Sequence, residues 1–354
     1  MAGVDRTLLN ARFERLGMVL KPNATIDERL GVLNPACTRL RNGTLQLYPR
    51  MVAPGNISRI GSFGAEERSD GVLEVEPHGF VLQPAAPYEV RTQPGGYGCE
   101  DPRITFVGAL DTYVMSYVAF GPRGPEVAVA VSGDALHWQR LGLLRFRQSD
   151  APFADKDAAF FSEPVASPTG VESLAFYHRP TLAISVRGGE GAVSTLAALP
   201  ENQREGISIG YIPLDAVKAD IAALCSVTET HPVPLPPATW GRIKVGGGAP
   251  PVRIAEGWLA VIHGVDEIPH PTGTTLLRYC AGLILHDATH LEQIIYRSPE
   301  PLFVPETRGE LYGTVGQVVF PTGIDRRDER TFDIYYGMAD YEIGRGRLTL
   351  SQRG

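Results

Sequence analysis

One phrase recurs five times along this 354-residue chain and constrains its fold more than any other feature. The phrase has a proline, a short strand, a polar or glycine-rich turn, and a second strand rich in aromatic residues. Its turns have the composition of β-hairpin turns. The five copies are NPACTRLRNGTLQLYPR (34–50), EDPRITFVGALDTYVMSYVAF (100–120), EPVASPTGVESLAFYHRP (163–180), APPVRIAEGWLAVIHGV (249–265) and FPTGIDRRDERTFDIYYGMAD (320–340).

The spacing of the copies predicts the architecture. They start about 60 to 85 residues apart, which suits a four-stranded blade with its loops better than a short solenoid repeat. We therefore predict an all-β, five-bladed β-propeller that forms a single domain over residues 1–354. A β-sandwich of hairpins is the alternative. Two segments, residues 6–20 and 214–225, have helical spacing of apolar residues, so we also predict a short N-terminal helical extension within residues 1–30.

Charge and cysteine usage exclude several classes of protein. With 33 basic and 40 acidic residues the net charge is -7, which argues against a nucleic acid or an anionic membrane as partner. No run of about 18 apolar residues predicts a membrane span. The four cysteines are far apart and form no C-x-x-C pair, as expected for free thiols in a reducing compartment. We predict a cytoplasmic protein without a metal site or an organic cofactor, and leave its oligomeric state open.

Polar residues at corresponding positions of the hairpins are the candidate site. In a propeller the innermost strands converge, so these side chains would meet in one central pocket. The positions hold Arg50, Asp101 with Arg103, His178 with Arg179, His263, and Asp340. Each has a plain structural explanation, such as a turn cap or a buried histidine. Together, however, so many ionisable groups are costly to bury unless they are paired or bind a ligand. An anion site beside a carboxylic acid would explain them.

Ten phrases then resemble one family. They occur in the family's order between about residues 33 and 340, whereas residues 1–30 and an insert around 188–206 fall outside the likeness. The phrases are LNPA, CEDPRIT, KDAAFF, FYHRP, WGRIKVGGGAPP, GWLAVIHGVD, YCAGLIL, RSPEPLFVPE, VVFPTG and YYGMAD. The chain resembles glycoside hydrolase family 130, which contains mannoside phosphorylases and related β-mannosidases. The resemblance implies a five-bladed propeller, in agreement with the repeat count.

The resemblance also implies residue roles. Asp101 matches the family's general acid. The mannosyl unit would be held by Asn34, Arg50 and Asp340. The phosphate pocket would consist of Arg179, Lys244, His263, Tyr279 and, by a looser match, Lys156.

Chemistry separates the activities within such a family. An inverting hydrolase needs an acid and a base with water between them, whereas an inverting phosphorylase needs the acid and a cationic cradle for phosphate. We therefore predict phosphorolysis of a β-mannoside oligosaccharide, with inorganic phosphate as co-substrate. We expect a raised pKa for Asp101. An inverting β-mannosidase is the alternative, and a non-catalytic sugar-binding propeller is a third reading. The hydrolytic base would be Asp157, Glu163, Asp266 or Glu267.

Overall fold

The computed structural model describes residues 9–23, 28–147, 154–182, 198–200, 203–269 and 275–351. Within these ranges the chain is nearly all-β, as the hairpin repeat predicts, with two short α-helices. The helices of the described part are too short and too polar to cross a membrane. All four cysteines are free and buried.

The antiparallel strands form five groups along the chain, and β1 (Asn10–Leu20) precedes them. The first group is β2 (Gly31–Arg39), β3 (Leu45–Ala53), β4 (Ile57–Glu67) and β5 (Leu73–Leu82). The second is β6 (Tyr97–Val107), β7 (Thr112–Gly121), β8 (Gly124–Ser132) and β9 (Gln139–Leu143). A short parallel pairing between β4 and β6 joins these two groups into one sheet.

The remaining strands complete the pattern. After β10 (Arg145–Phe146), the third group is β11 (Asp155–Phe160), β12 (Val165–Ala166), β13 (Glu172–Pro180), β14 (Ser208–Pro213) and, after α1 (Leu214–Ala219) and β15 (Ser226–Val227), β16 (Glu229–Pro232). The fourth is β17 (Lys244–Gly246), β18 (Val252–Ile254), β19 (Gly257–Pro269), β20 (Thr275–His286) and β21 (Ile294–Arg297). After α2 (Arg308–Leu311), the fifth is β22 (Val319–Arg326), β23 (Thr331–Met338) and β24 (Glu342–Ser351).

Five hydrophobic clusters lie between successive groups. On β13, Leu174 and Phe176 pack toward the second group, whereas the alternate residues Ala175 and Tyr177 pack toward the fourth. This period of two, apolar on both faces, is that of a strand buried on both sides. The clusters continue from the fourth group to the fifth and from the fifth back to the first. Each group therefore packs against the group before it and the group after it.

The predicted N-terminal helix is wrong over the described residues. Residues 10–20 form β1, which pairs antiparallel with β24 from Asn10 opposite Ser351 to Leu20 opposite Ile343. This strand adds the fourth strand to the fifth group. Residues 1–8 and 24–27 of the predicted extension lie outside the described residues. The helix predicted at 214–225 is confirmed in part, as α1 followed by a 3₁₀ turn at Ile221–Cys225.

The third hairpin begins earlier in the structure than the sequence repeat predicts. Its first strand is β11, which begins at Asp155 and contains most of KDAAFF, and not the EPVAS stretch that starts the repeated phrase. The short β12 from that stretch pairs with the first two residues of β13. The shift places Asp157 on the first strand of the third group, where the first two groups carry Asn34 and Asp101.

Candidate active site

Four polar residues of the site share an unusual backbone conformation. Asn34, Asp101, Asp157 and Asp340 have φ angles of 47°, 47°, 60° and 50°. Asn and Asp enter this left-handed region more readily than most residues. The first three lie where the register of β2, β6 and β11 shifts against the next strand. Such bulges redirect side chains and are common beside active sites.

The first half of the site surrounds the Asp101 carboxylate. Asn34 donates a hydrogen bond from Nδ2 to Asp101 Oδ1 at 2.8 Å. Arg50 donates from Nη2 to Glu100 Oε1 at 2.9 Å, and its Nη1 lies 3.4 Å from Asp101 Oδ1. Asn34 Oδ1 is buried without a hydrogen-bond partner among the described residues. Asn34, Arg50 and Asp101, which the sequence predicted as site residues, are therefore brought together.

The two aspartates of this half differ in acidity, and the expected raised pKa of Asp101 is wrong for the free protein. Burial raises the pKa of Asp101, but the Arg50 and Arg103 charges and the Asn34 hydrogen bond outweigh it, so the pKa lies below the usual range. Burial, together with Asp101 and Glu100, instead raises the pKa of Asp340 to about 6. The two carboxylates are thus close enough for the charge of Asp101 to act on Asp340.

Arg103 connects this half to a second part of the site, the cationic half, which contains Asp157, Arg179, Lys244 and His263. Its guanidinium donates from Nη1 to the Asp101 carbonyl at 2.7 Å and from Nε to the Gly248 carbonyl at 3.1 Å. Its Nη2 lies 3.7 Å from Asp157 Oδ1 and is buried without a hydrogen-bond partner in the described chain. The sequence had placed Arg103 with Asp101 among the candidate pocket residues, without a role of its own.

Arg179 is the cation of the second half that pairs with two carboxylates. It is buried, donates from Nε to Asp157 Oδ2 at 2.6 Å, and donates from Nη1 to Glu205 Oε2. Burial lowers the pKa of the Arg179 guanidinium, but the Asp157 and Glu205 charges raise it by more than burial lowers it. The group therefore stays charged. Neighbouring His178 is engaged elsewhere, with Asp155 and Thr230.

His263, Lys244 and Tyr279 form one side of this half. The rings of His263 and Tyr279 stack with centroids 6.1 Å apart, and Lys244 Nζ lies 5.5 Å from the Tyr279 centroid. Burial lowers the pKa of His263 to about 3, and Arg179 and Lys244 contribute. The ring is therefore neutral near pH 7, and the charge of this half comes from lysine and arginine.

The run of three glycines, Gly246 to Gly248, is explained by the close approach of its backbone to neighbouring atoms of the site. A Cβ at Gly246 would lie 2.3 Å from both Asp157 Oδ2 and His263 Cε1, and one at Gly248 would lie 2.1 Å from the Val261 carbonyl. Such distances are far inside van der Waals contact, so a larger residue would displace the charged groups.

The cationic half carries a surplus of positive charge. Lys156 belongs to it, because it stands opposite Arg179 in the pairing of β11 with β13. Its charge also acts on the carboxylates of Asp101 and Asp340 in the first half. The cations are Arg103, Arg179, Lys244 and Lys156, and the carboxylates facing them are Asp157 and Glu205. Apart from Asp101, on whose carboxylate Arg103 and Lys156 also act, four cations against two carboxylates leave two positive charges, which suits an anionic ligand. Among the described residues, no cluster of His, Cys, Asp and Glu could hold a metal ion.

Sequence reasoning missed the two carboxylates of this half as site residues. Asp157 was considered only as a hydrolytic base, although KDAA places an aspartate where EDPR places Asp101. Glu205 had no sequence signal, because it lies in the insert around 188–206, of which 188–197 and 201–202 are outside the described residues. Of the other carboxylates considered as bases, Asp266 pairs with Arg242 and Arg278, and Glu163 is exposed.

Comparison with known proteins agrees with this picture. A family model described as β-1,4-mannooligosaccharide phosphorylase matches residues 9–186 and 230–352. The 1,2-β-oligomannan phosphorylase of Thermoanaerobacter sp. (strain X514) is 27% identical over 335 residues, which cover 92% of this chain and 93% of that protein.

Two solved structures share the fold. A β-1,2-mannobiose phosphorylase from Listeria innocua, in complex with β-1,2-mannobiose, superposes with a TM-score of 0.69 at 20% identity and covers 95% of this chain and 96% of its own. A glycosyl hydrolase from Bacteroides ovatus superposes with a TM-score of 0.67 at 20% identity, covering 96% and 94%.

Proposed function

This chain belongs to glycoside hydrolase family 130, and from that membership we propose that it catalyses the reversible, inverting phosphorolysis of a β-linked mannoside. The products would be α-mannose 1-phosphate and a shortened acceptor sugar. The observation that carries the proposal is the surplus of two positive charges beside Asp101. Water needs no such charge as a nucleophile, whereas dianionic phosphate does, and burying this charge without a ligand is costly.

We also propose that the five strand groups are the blades of a five-bladed propeller that forms one domain. Its support is the order of the hydrophobic clusters, in which each group packs against its two neighbours. In that arrangement β1 completes the last blade by pairing with β24, so that strands from both ends of the chain hold the ring together. The pocket would then lie where β2, β6 and β11 approach each other.

In the proposed reaction Asp101 is the general acid. A phosphate oxygen attacks the anomeric carbon from the side opposite the leaving oxygen, the glycosidic bond breaks, and the Asp101 proton goes to the leaving oxygen, directly or through a sugar hydroxyl. Asp101 is ionised in the free protein, so it must gain its proton as substrates bind. Phosphate beside Arg103 and Lys156 offsets the cations that depress its pKa.

The mannosyl unit would be held by Asn34, Arg50 and Asp340. Asn34 Oδ1 is a buried acceptor without a partner in the described chain, which suits a sugar hydroxyl. Lys244, Tyr279 and His263 would line the phosphate position with Arg179 and Lys156. Neutral His263 has its Nδ1 3.1 Å from the Gly247 carbonyl, so that nitrogen carries the proton.

The hydrolase alternative is weakened by the state of Asp157, the candidate base that lies within the described site. Arg179, His263 and Arg103 hold its pKa well below the usual range against the effect of burial. A carboxylate so strongly stabilised by cations is a poor proton acceptor, so the same contacts that weaken hydrolysis favour an anionic nucleophile.

The ionisation of Asp340 predicts a pH dependence of sugar binding. A carboxylate that accepts hydroxyl hydrogens must be ionised, and its pKa is raised to about 6. We therefore expect the KM for the mannoside to rise as the pH falls below about 6, with little change between pH 7 and 8. Asp340→Asn should raise that KM at neutral pH by about tenfold and remove the pH dependence. Measuring KM from pH 5 to 8 at saturating phosphate checks this, and a wild-type KM independent of pH contradicts it.

The reverse reaction tests the proposed function and identifies the acceptor. We expect the protein to release phosphate from α-mannose 1-phosphate when mannose, β-1,2-mannobiose or β-1,4-mannobiose is present, and to form a β-mannosidic bond. Phosphate release measured against each acceptor, with the product linkage determined by NMR, gives the specificity. Release that does not depend on an acceptor, or no release with any of them, contradicts the proposal.

A further inference from the structure

Glu205 neutralises part of the cationic half from behind Arg179. Its side chain is fully buried, and both carboxylate oxygens are engaged. Oε2 accepts from Arg179 Nη1, and Oε1 accepts from the Leu182 backbone N–H at 2.9 Å. The Glu205 carbonyl also accepts from the Val245 N–H at 3.1 Å, beside Lys244. This segment is therefore attached to both the Arg179 strand and the Lys244 strand.

The position of Glu205 in the sequence sets it apart from the rest of the site. The family model matches residues 9–186 and 230–352, so Glu205 lies in the segment that the model leaves unmatched. Asp101, Asp157 and Arg179 all lie in the matched part. One of the two carboxylates that face the cations thus comes from a segment outside the family pattern.

We propose that Glu205 is an internal counter-anion that positions Arg179 and sets the affinity of this protein for phosphate. The inference rests on the proposed function. Glu205 does not act as a catalytic base, because both its oxygens are bound within the protein and its side chain has no exposed surface. The negative charge of Glu205 instead opposes the binding of phosphate to Arg179. The Nη2 atom of Arg179 donates to no described residue.

The sign of the effect follows from the charges. With Glu205 ionised, the cationic half has two surplus positive charges, and without that charge it has three. Buried charges a few ångströms apart interact strongly even at an effective dielectric constant of about 20. Removing the carboxylate charge should destabilise the free protein, because Arg179 loses one partner, and should strengthen phosphate binding, because the bound anion replaces it.

Glu205→Gln is the informative variant, since it keeps the shape of the side chain and Arg179 keeps its bond to Asp157. Arg179→Ala would instead remove the cation that two buried carboxylates share. A matched control is Glu89→Gln, because Glu89 is also fully buried, pairs with Arg140 at 2.8 Å, and accepts from the Ala85 and Ala86 N–H groups at 2.9 Å. It lies outside the site, so its loss reports the cost of breaking a buried Glu–Arg pair and its hydrogen bond from Tyr117, without an effect on phosphate.

The experiment measures the thermal midpoint with and without inorganic phosphate, and the KM for phosphate and for the mannoside. For Glu205→Gln we expect a lower Tm without phosphate, a larger phosphate-induced rise than in wild type, and a KM for phosphate about tenfold lower, with the KM for the mannoside unchanged. Glu89→Gln should lower the Tm and leave the phosphate-induced rise as in wild type.

A phosphate-induced rise in Glu205→Gln that equals or falls below that of wild type overturns the inference. If the glutamine variant does not fold, Glu205→Asp provides a weaker test, because it keeps the negative charge but moves it away from Arg179 and should shift phosphate binding in the same direction by a smaller amount. The thermal measurement needs no turnover. If wild type bound phosphate but released free mannose, the proposed function would fail, and the effect of Glu205 on phosphate binding would still be decided.

Discussion

Replacing Asp101 by Asn is expected to slow phosphorolysis of a natural β-mannoside by about 10²–10⁴-fold, because it removes the proposed proton donor to the leaving oxygen. Asn keeps the shape of the side chain and tolerates the φ of 47° at this position. Sugar binding should therefore change little, whereas the Tm should fall because Arg50 loses a buried charged partner. The loss should appear in kcat more than in the KM for the mannoside.

The leaving group gives this prediction a second readout. A nitrophenyl β-mannoside has a leaving oxygen that needs little protonation, so Asp101→Asn should lose much less activity on it than on a disaccharide. Asp111→Asn is a matched control, because Asp111 has a similar φ of 52° but pairs with Arg41 on the surface. Near-normal turnover of a disaccharide by Asp101→Asn would show that the acid is another residue, and Asp340, with its raised pKa, would be the next candidate.

The fold was predictable to the extent that hairpins are local. The repeated phrase identified the all-β class, since each hairpin is specified by its own turn and apolar alternation. The N-terminal segment was misread because Leu9, Phe13, Leu16 and Leu20 fit a helical face over a short stretch. Its actual partner, β24, is more than 300 residues away, and Phe13 packs on Phe303 with ring centroids 3.9 Å apart. Such tertiary contacts decide between strand and helix where local pattern does not.

The site was predictable where a residue sits within a motif, and less so where its role depends on pairing. Motifs identified Asn34, Arg50 and Asp101, whose hydrogen bonds now connect them. The lowered pKa of Asp101 could not be foreseen, because it depends on the distances to Arg50 and Arg103. Similarly, the neutral state of His263 follows from burial beside other cations, and no motif encodes that.

The pairing of Arg179 with two carboxylates changes how the phosphate pocket should be understood. A cradle of free cations was expected, but Arg179 is already held by Asp157 and Glu205. Phosphate would therefore bind to a pocket whose cations are fixed in place and partly neutralised. Prepositioned cations reduce the ordering needed on binding, while the internal carboxylates limit affinity.

The dependence of product formation on phosphate tests the central claim most directly. The measurement incubates the wild-type protein, dialysed free of phosphate, with β-1,2- and β-1,4-mannobiose over a series of phosphate concentrations, and identifies the sugar product by NMR. We predict that the rate falls to near zero without phosphate, saturates as phosphate is added, and yields α-mannose 1-phosphate. Release of free mannose at a rate independent of phosphate would contradict phosphorolysis and establish a hydrolase in its place.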